Sequence, residues 1–356
     1  MVSISFAASV SLLTCVAEIH QVMLQDTVRT DAYRDFIYAN KHLFKDKVVL
    51  DVGCGTGILS MFCAKAGAKR VISVDNSAII EKARSIIDAN GLSDKVTFIR
   101  GKIEEINLPY DVDKVDIIVS EWMGYCLLFE AMFDSVMYAR DRYLKPDGLM
   151  VPSHCTLQIG ALDDSEFVAD NFTFWKDVYG FDMTAMTEKI YDDVLVRFPE
   201  KENVAGRSKD EKPFKVLDLH RITAAELDFK VPFEVAVTRD MDALDGWCVW
   251  FDTIFMQSKD QTVPENLLRG IKGKGLDSEQ TVVFTTGPFG PRTHWQCGTC
   301  MIDHKDQPSE SLKEGQVLTG SISFRKNEEH KRALDIDIEW RGQDAKIAGQ
   351  QKWFMQ

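Results

Sequence analysis

Two glutamates pose the first chemical question. Glu121 and Glu130 bracket eight residues, Trp-Met-Gly-Tyr-Cys-Leu-Leu-Phe, that carry no other charge. The apolar run Val115–Ser120 before them reads as a strand, and Gly124 permits a sharp turn. The segment can therefore fold back and bring both carboxylates to one sheet edge. A planar guanidinium, with five N–H donors in a fixed fork, is the cation such a pair would clamp. Spacing alone also allows a plainer arrangement, an N-capping acid followed by an unrelated surface acid.

A second constellation lies upstream. Val48–Val52 is apolar and β-branched except for Asp51, as in a strand buried on both faces. The turn Gly53-Cys54-Gly55-Thr56-Gly57 follows, and then a helical pattern of Ile58, Leu59, Phe62 and Ala66 stops at Gly67. Strand, glycine turn and helix N-terminus bring backbone close to a ligand. A dinucleotide fingerprint spaces its glycines as G-x-G-x-x-G, whereas here they fall at 53, 55 and 57. Asp51 would repel a pyrophosphate but suits a cationic ligand. Asp75 ends the next strand, Arg70–Val74, twenty residues beyond Gly55, where an acid can accept from both hydroxyls of a ribose. S-adenosylmethionine, with an ammonium and a sulfonium and no phosphate, answers this pattern. A plain tight turn is the alternative for the glycines taken alone.

The elements that must position these groups follow from the chain's patterning. With 356 residues, the chain is long enough for two substantial domains, and 45% hydrophobic with 27% charged residues reads as soluble and globular. A formal charge of −13 argues against nucleic acid as a direct partner and for a basic substrate. Eight scattered cysteines, most in apolar runs, fit reduced thiols of an intracellular protein, cytoplasmic with the nucleus as a second location. His294-x2-Cys297-x2-Cys300-x3-His304 superficially resembles a zinc set. Trp295–Ile302 reads as a strand, however, in which residues three apart face opposite sides, so no metal is expected. The start lacks the basic residues of a signal peptide, and no stretch is long enough to span a membrane.

Val16–Ile37 is predicted helical. Alternating strands (48–52, 70–74, 96–99, 115–119) and helices (58–66, 77–89, 132–143) predict a doubly wound α/β domain with its ligand at the strands' carboxyl ends. Lys145-Pro-Asp-Gly148 is expected to form a turn. From Pro152 onwards strands dominate: 156–161, 214–219, 233–238, 247–255, 281–285, 317–324 and 333–340 predict a sandwich or barrel. Pro199–Pro213 and Ser258–Gln280 are expected as loops. Asp163 to about Met186 breaks the pattern with Phe167, Phe172, Phe174, Trp175, Tyr179 and Phe181, which need a surface to cover them, in the same chain or a second subunit.

Met23-Leu24-x-Asp26-x-x-Arg29-Thr30, Leu50–Gly57, Ser120-Glu121-Trp122-Met123-Gly124-Tyr125…Glu130 and Thr293-His294-Trp295 together resemble the protein arginine methyltransferases, from about Ile19 to the C-terminus. Tyr33–Val71 is most similar to the member that carries an N-terminal zinc finger, and no finger is expected here. The resemblance implies an N-terminal helical segment (1–45), a Rossmann-like S-adenosylmethionine domain (46–151) and a β-barrel substrate domain (152–356). A helical arm at about 163–187 would dock on a second subunit of a homodimer. It further implies that Glu121 and Glu130 hold the substrate guanidinium and that Arg29 grips the donor's carboxylate, with His20 nearby. Gly53 and Gly55 would approach the methionine part, Asp75 with Ser77 the ribose, and Ile103-Glu104 the adenine. Asp26 and His294 would close the site across the two domains. Met23 and Met132 match the subclass that makes asymmetric dimethylarginine.

The implied activity is methyl transfer to arginine in Gly-Arg-rich proteins, RNA-binding or ribosomal proteins among them. Each position also has a bland reading: Asp26 and Arg29 as a helix surface pair, the methionines as core, His294 as a strand histidine and Glu104-Glu105 as a solvated face. The chain departs from the family at Val10–Thr14, where an aromatic-Phe-x-Ser-Tyr flap is expected and no aromatic stands, and in a long 258–280 loop. The missing flap keeps open one rival, a weak or silent scaffold for arginine-rich proteins; the other, a small-molecule methyltransferase with the same donor domain, has the paired glutamates and the C-terminal strands against it.

Overall fold

The computed structural model describes residues 18–269, 271, 275–276, 280–304, 311–343 and 347–356. Val10–Thr14 lies outside them. The first unit is a five-stranded sheet, β1 (Val48–Val52), β2 (Arg70–Asp75), β3 (Val96–Arg100), β4 (Val115–Val119) and β5 (Leu144–Val151). Its order is β3-β2-β1-β4-β5 with every pairing parallel, so β1 is flanked by β2 on one side and β4 on the other. At that switch point the segments leaving β1 and β4 diverge and open a crevice. Val49, Leu50 and Val52 are buried because helices cover both faces.

The predicted helix Val16–Ile37 is in fact two, residues 18–25 and α1 (Thr27–Ala39), broken at Asp26. Asp26 adopts φ −70° and ψ 91°, and its Oδ1 accepts from the Arg29 N–H at 3.0 Å. An aspartate that satisfies the first free N–H groups of the next helix starts it afresh. Beyond the cap, α1 buries Tyr33, Phe36 and Ile37. Tyr33 and Phe36 pack on Phe255 of the second unit at centroid distances of 4.9 and 5.6 Å. Two helices follow the next strands, α2 (Ile58–Lys65) after β1 and α3 (Ile79–Ala89) after β2, and α4 (Phe133–Tyr143) precedes β5. Lys145–Gly148 is not a free turn: α4 passes directly into β5, and the pairing with β4 shifts register between Val115 and Ile117.

The second unit closes on itself. Strands β6 (His154–Leu162), β7 (Leu195–Arg197), β8 (Val204–Ser208), β9 (Lys215–Asp218), β10 (Phe229–Val237), β11 (Gly246–Phe255), β12 (Gly275–Leu276), β13 (Val282–Thr285), β14 (Cys297–Met301), β15 (Val317–Lys326), β16 (Leu334–Arg341) and β17 (Ala348–Met355) form one sheet. The circuit runs β11-β6-β8-β10-β15-β16-β17 and returns through the residues before β7 to β14 and β11. The closure is made by Val194 N–H to Phe354 O at 2.9 Å and Phe354 N–H to Asp192 O at 2.7 Å. Pro199–Pro213 is therefore not all loop: β8 pairs with both β6 and β10. Its residues, Val-Ala-Gly-Arg-Ser, lack apolar alternation, and two long neighbours with open ladder edges recruit it. Likewise 258–280 holds a helical turn at Glu265–Leu268 and the two-residue β12.

The arm begins at α5 (Ser165–Asn171) and continues through 3-10 turns at Thr173–Lys176 and Thr184–Thr187. Its rings divide. Phe172 is buried within its own unit, stacked on Tyr191 at 4.4 Å, so of the two covers open to it the same chain supplies it. Trp175 is half-buried, and Phe174, Tyr179 and Phe181 are exposed, Tyr179 at 97%. No helix among the described residues is long and apolar enough to cross a membrane.

Candidate functional site

A cavity of about 1150 Å³ opens at the carboxyl ends of β1, β2 and β4. Its floor is the glycine turn. Gly53 has φ +73°, and a Cβ there would lie 2.1 Å from Met132 Cε, so backbone and thioether touch only because the side chain is absent. The Gly55 N–H donates to Asp75 Oδ2 at 2.9 Å, while the backbone and hydroxyl of Ser77 donate to Oδ1 at 2.8 and 2.6 Å. Asp75 thus ties the glycine turn to the loop after β2, and Oδ2, which accepts one bond against two on Oδ1, keeps a lone pair for a ligand. Beside it stands His20, whose pKa is lowered by burial against the opposing pull of Asp75. Ile103 is buried in the cavity wall and Glu104 accepts from the Ser135 hydroxyl at 2.6 Å.

Asp51 does not face this cavity. It is fully buried, its Oδ2 takes the Ser60 hydroxyl at 2.5 Å, and Ser60 in turn meets Ser73 Oγ at 2.7 Å. Burial pushes its carboxyl up to about 7, with Ser60 pulling the other way. The expectation that Asp51 attracts a cationic ligand is corrected: it braces β1, β2 and α2 beneath the turn.

The acidic segment after β4 folds back as a tight hairpin. Gly124 and Leu127 exchange N–H···O bonds at 3.0 Å, and a Cβ on Gly124 would meet the Phe129 carbonyl at 1.9 Å, so no other residue fits there. Glu130, at φ +76°, re-enters the wall of the cavity that Glu121 also lines. Each glutamate is engaged by an arginine of the chain. Arg29 reaches Glu121 Oε2 from Nε at 2.8 Å and from Nη2 at 2.7 Å, with both side chains under 10% exposed. Arg332 Nη2 lies 2.7 Å from Glu130 Oε1. Arg29 also donates to Met23 O at 3.2 Å and Thr30 Oγ1 at 3.3 Å, so four of its five N–H groups are committed.

The cap residue Asp26 has a second use. Its Oδ2 accepts from the His294 backbone at 2.8 Å and sits 2.7 Å from His294 Nδ1. Burial pushes the Asp26 carboxyl up, but the bonds from His294 and from the Arg29 backbone outweigh it and hold the group below its ordinary value. The contact joins the start of α1 to the barrel at the cavity mouth. Trp295 Nε1 adds a 2.8 Å bond to Met123 O, and Tyr33 OH one of 2.9 Å to Ser120 O. Cys297 and Cys300 are buried in β14, and His304 bonds Leu244 O at 3.0 Å, away from His294.

The glycine turn, Asp75, the acidic hairpin and His294 of the barrel thus share one cavity. Family models agree over both units. One described as a methyltransferase domain matches residues 43–203, and one described as an arginine methyltransferase oligomerization subdomain matches 153–269 and 271–345. The chain is 44% identical over 322 residues to protein arginine N-methyltransferase 1 of Schizosaccharomyces pombe, covering 90% of this chain and 86% of that one. The chain belongs to the protein arginine methyltransferase family. The ribosomal protein arginine N-methyltransferase rmt3 of the same yeast is 46% identical over 91% of this chain, which spans 56% of that relative's length. Among solved structures, the enzyme–prozyme heterotetrameric complex of Trypanosoma brucei PRMT1 with AdoHcy superposes with a TM-score of 0.82 at 34% identity. It covers 95% of this chain and 98% of that chain.

S-adenosylmethionine is the cofactor of this arginine methyltransferase, and the residues present fit it. The bare backbone at Gly53 admits close approach, Asp75 Oδ2 offers an acceptor to a ribose, and Glu104 and Glu121 supply acidic walls for a cationic ligand. His20, Met23, Arg29, Gly53, Gly55, Asp75, Ser77, Ile103, Glu104, Glu121, Glu130, Met132 and His294 all line the one cavity. Asp26 reaches it through His294 and Arg29. Sequence reasoning missed Arg332 and Ser135. Arg332 lies in the Asn327–Ala333 hairpin tip, a charged run like any solvated loop, and nothing local signals that the barrel lays it against Glu130.

Proposed function

We propose that this chain methylates arginine in basic, Gly-Arg-rich proteins, RNA-binding or ribosomal proteins among them, giving monomethylarginine and then asymmetric dimethylarginine. The observation that carries the reading is that Glu121 and Glu130 open on the same cavity as the Gly53–Gly57 turn.

S-adenosylmethionine bound there supplies an electrophilic methyl group. Glu121 and Glu130 accept N–H groups of the substrate guanidinium, hold its charge on the far side and aim the remaining nitrogen. Orientation of this kind supplies roughly 7–11 kcal/mol in well-positioned cases. Arginine enters protonated, so a proton has to leave, and two groups in the wall can take it, Glu130 and His294. Asp26 against Nδ1 orients the His294 ring so that its other nitrogen is the basic one. Met23 and Met132 leave room for a methylated nitrogen to return to the attack position.

Association with a second copy through the arm is part of the reading, supported by the exposed Phe174, Tyr179 and Phe181. So is a cytoplasmic or nuclear site of action, supported by seven free, buried cysteines among the described residues. Incubation with methyl-labelled S-adenosylmethionine and a Gly-Arg-repeat peptide tests the reaction. Mass spectrometry should find monomethyl- and asymmetric dimethylarginine; symmetric dimethylarginine as the main product would overturn the subclass.

A further inference from the structure

The two arginines on the clamp differ in kind. Arg29 and Glu121 are both buried, whereas the Arg332 side chain is 73% exposed and that of Glu130 48%. We propose that Arg332 is a resident guanidinium that occupies Glu130 in the resting site and is displaced by the incoming arginine. It thereby sets substrate affinity and leaves the rate of chemistry alone. The inference rests on arginine being the substrate.

The hairpin tip that carries Arg332 is held by bonds to its backbone and on both flanks. Its carbonyl accepts the Glu130 N–H at 2.8 Å, and Asn327 Oδ1 accepts from the backbone of Glu329 and His330 at 3.0 Å each. Ala333 N–H closes the tip on His330 O at 2.8 Å. Lys326 Nζ anchors the loop base to both oxygens of Asp134, at the start of α4, at 2.7 Å. The Arg332 side chain, by contrast, is fastened by one contact to Glu130. Fixed backbone and free side chain are the parts of a swinging gate. The exchange is like for like, a guanidinium for a guanidinium on the same carboxylate. An exposed ion pair contributes about 0–1 kcal/mol, so displacing Arg332 is cheap, while the substrate offers five donors against the single contact it replaces.

The carbonyl contact to Glu130 survives any side-chain change, so R332A tests the guanidinium alone. With a Gly-Arg-repeat peptide, R332A should lower KM about two- to fivefold, the factor an exposed pair commands, without reducing kcat. R332K should stay near wild type, because an ammonium can also hold Glu130. Ethylguanidinium should compete with the peptide more strongly in R332A than in wild type. Unchanged S-adenosylmethionine affinity in R332A establishes that the variant is folded. A raised KM or a tenfold fall in kcat would overturn the proposal, since the guanidinium would then be positioning Glu130, as would equal ethylguanidinium inhibition of both proteins. Wild type that transfers no methyl to the peptide overturns the substrate reading, and this proposal with it.

Discussion

Replacing each clamp glutamate by glutamine should give two quite different proteins. Glu121 and Arg29 form a pair with side chains 8% and 6% exposed, and Arg29 spends two N–H groups on Oε2. E121Q removes the charge and leaves a buried guanidinium without its counter-ion. Breaking a buried pair from one side typically costs about 3–5 kcal/mol. Glutamine retains an acceptor, so the lower end applies, and for a chain of this size that is a fall in Tm of about 4 °C. E130Q disturbs a pair whose partners are 48% and 73% exposed, worth at most about 1 kcal/mol, and should melt within about 2 °C of wild type. Both variants should lose methyl transfer, since each removes a charge-assisted bond to the substrate of about 1.5–3 kcal/mol as well as the aim it provides. The assays are differential scanning calorimetry without cofactor and single-turnover transfer to a Gly-Arg peptide. The double variant R29M/E121L, which removes both charges, should recover much of the stability lost in E121Q. Equal melting of E121Q and E130Q would refute the assignment of Arg29–Glu121 as a buried pair, and near-normal turnover by either would refute the clamp.

Three further outcomes are expected. His220 Nε2 accepts the Met150 N–H at 2.9 Å at the junction of the two units, and burial pushes the imidazole down to about 4, against the opposing pull of Asp218. The unfolded chain therefore binds this proton first. The stabilisation is complete above pH 6.5 and is lost as pH falls towards 4, to the extent of about 3 kcal/mol. Melting followed from pH 7.5 to 4.5 should fall less steeply in H220Q than in wild type, and identical slopes count against the assignment. Changing Phe174, Tyr179 and Phe181 together to serine should yield a monomer by light scattering with native-like circular dichroism, whereas F172S should destabilise the fold because that ring is buried; a triple variant that stays associated shows that the arm is not the contact. G53A places a methyl against Met132 Cε at φ +73°, and S-adenosylmethionine affinity by calorimetry should drop about tenfold through backbone strain of 1–2 kcal/mol; undiminished affinity would show that the turn does not carry the donor.

Local chemistry made much of this protein readable from its residues. Continuous apolar strands, a glycine turn and alternating helices specify a parallel sheet with its ligand at the carboxyl edge, because each signal lies within a dozen residues of chain. Gly124 between two glutamates specifies a hairpin for the same reason. The break at Asp26 and the strand status of Val204–Ser208 were decided elsewhere, by a cap that also bonds His294 and by neighbours with unpaired ladder edges. Phe172 and Tyr179 are alike in sequence terms, yet one is covered by Tyr191 and the other stands in solvent. Asp51 and Asp75 each end or nearly end a strand, and only the packing of α2 turns the first inward to Ser60 and leaves the second at the cavity. The pairs Arg29–Glu121, Asp26–His294 and Glu130–Arg332 join residues 92, 268 and 202 apart. Electrostatic partnership over such separations has no local pattern; it exists only once the barrel has closed over the carboxyl edge of the sheet.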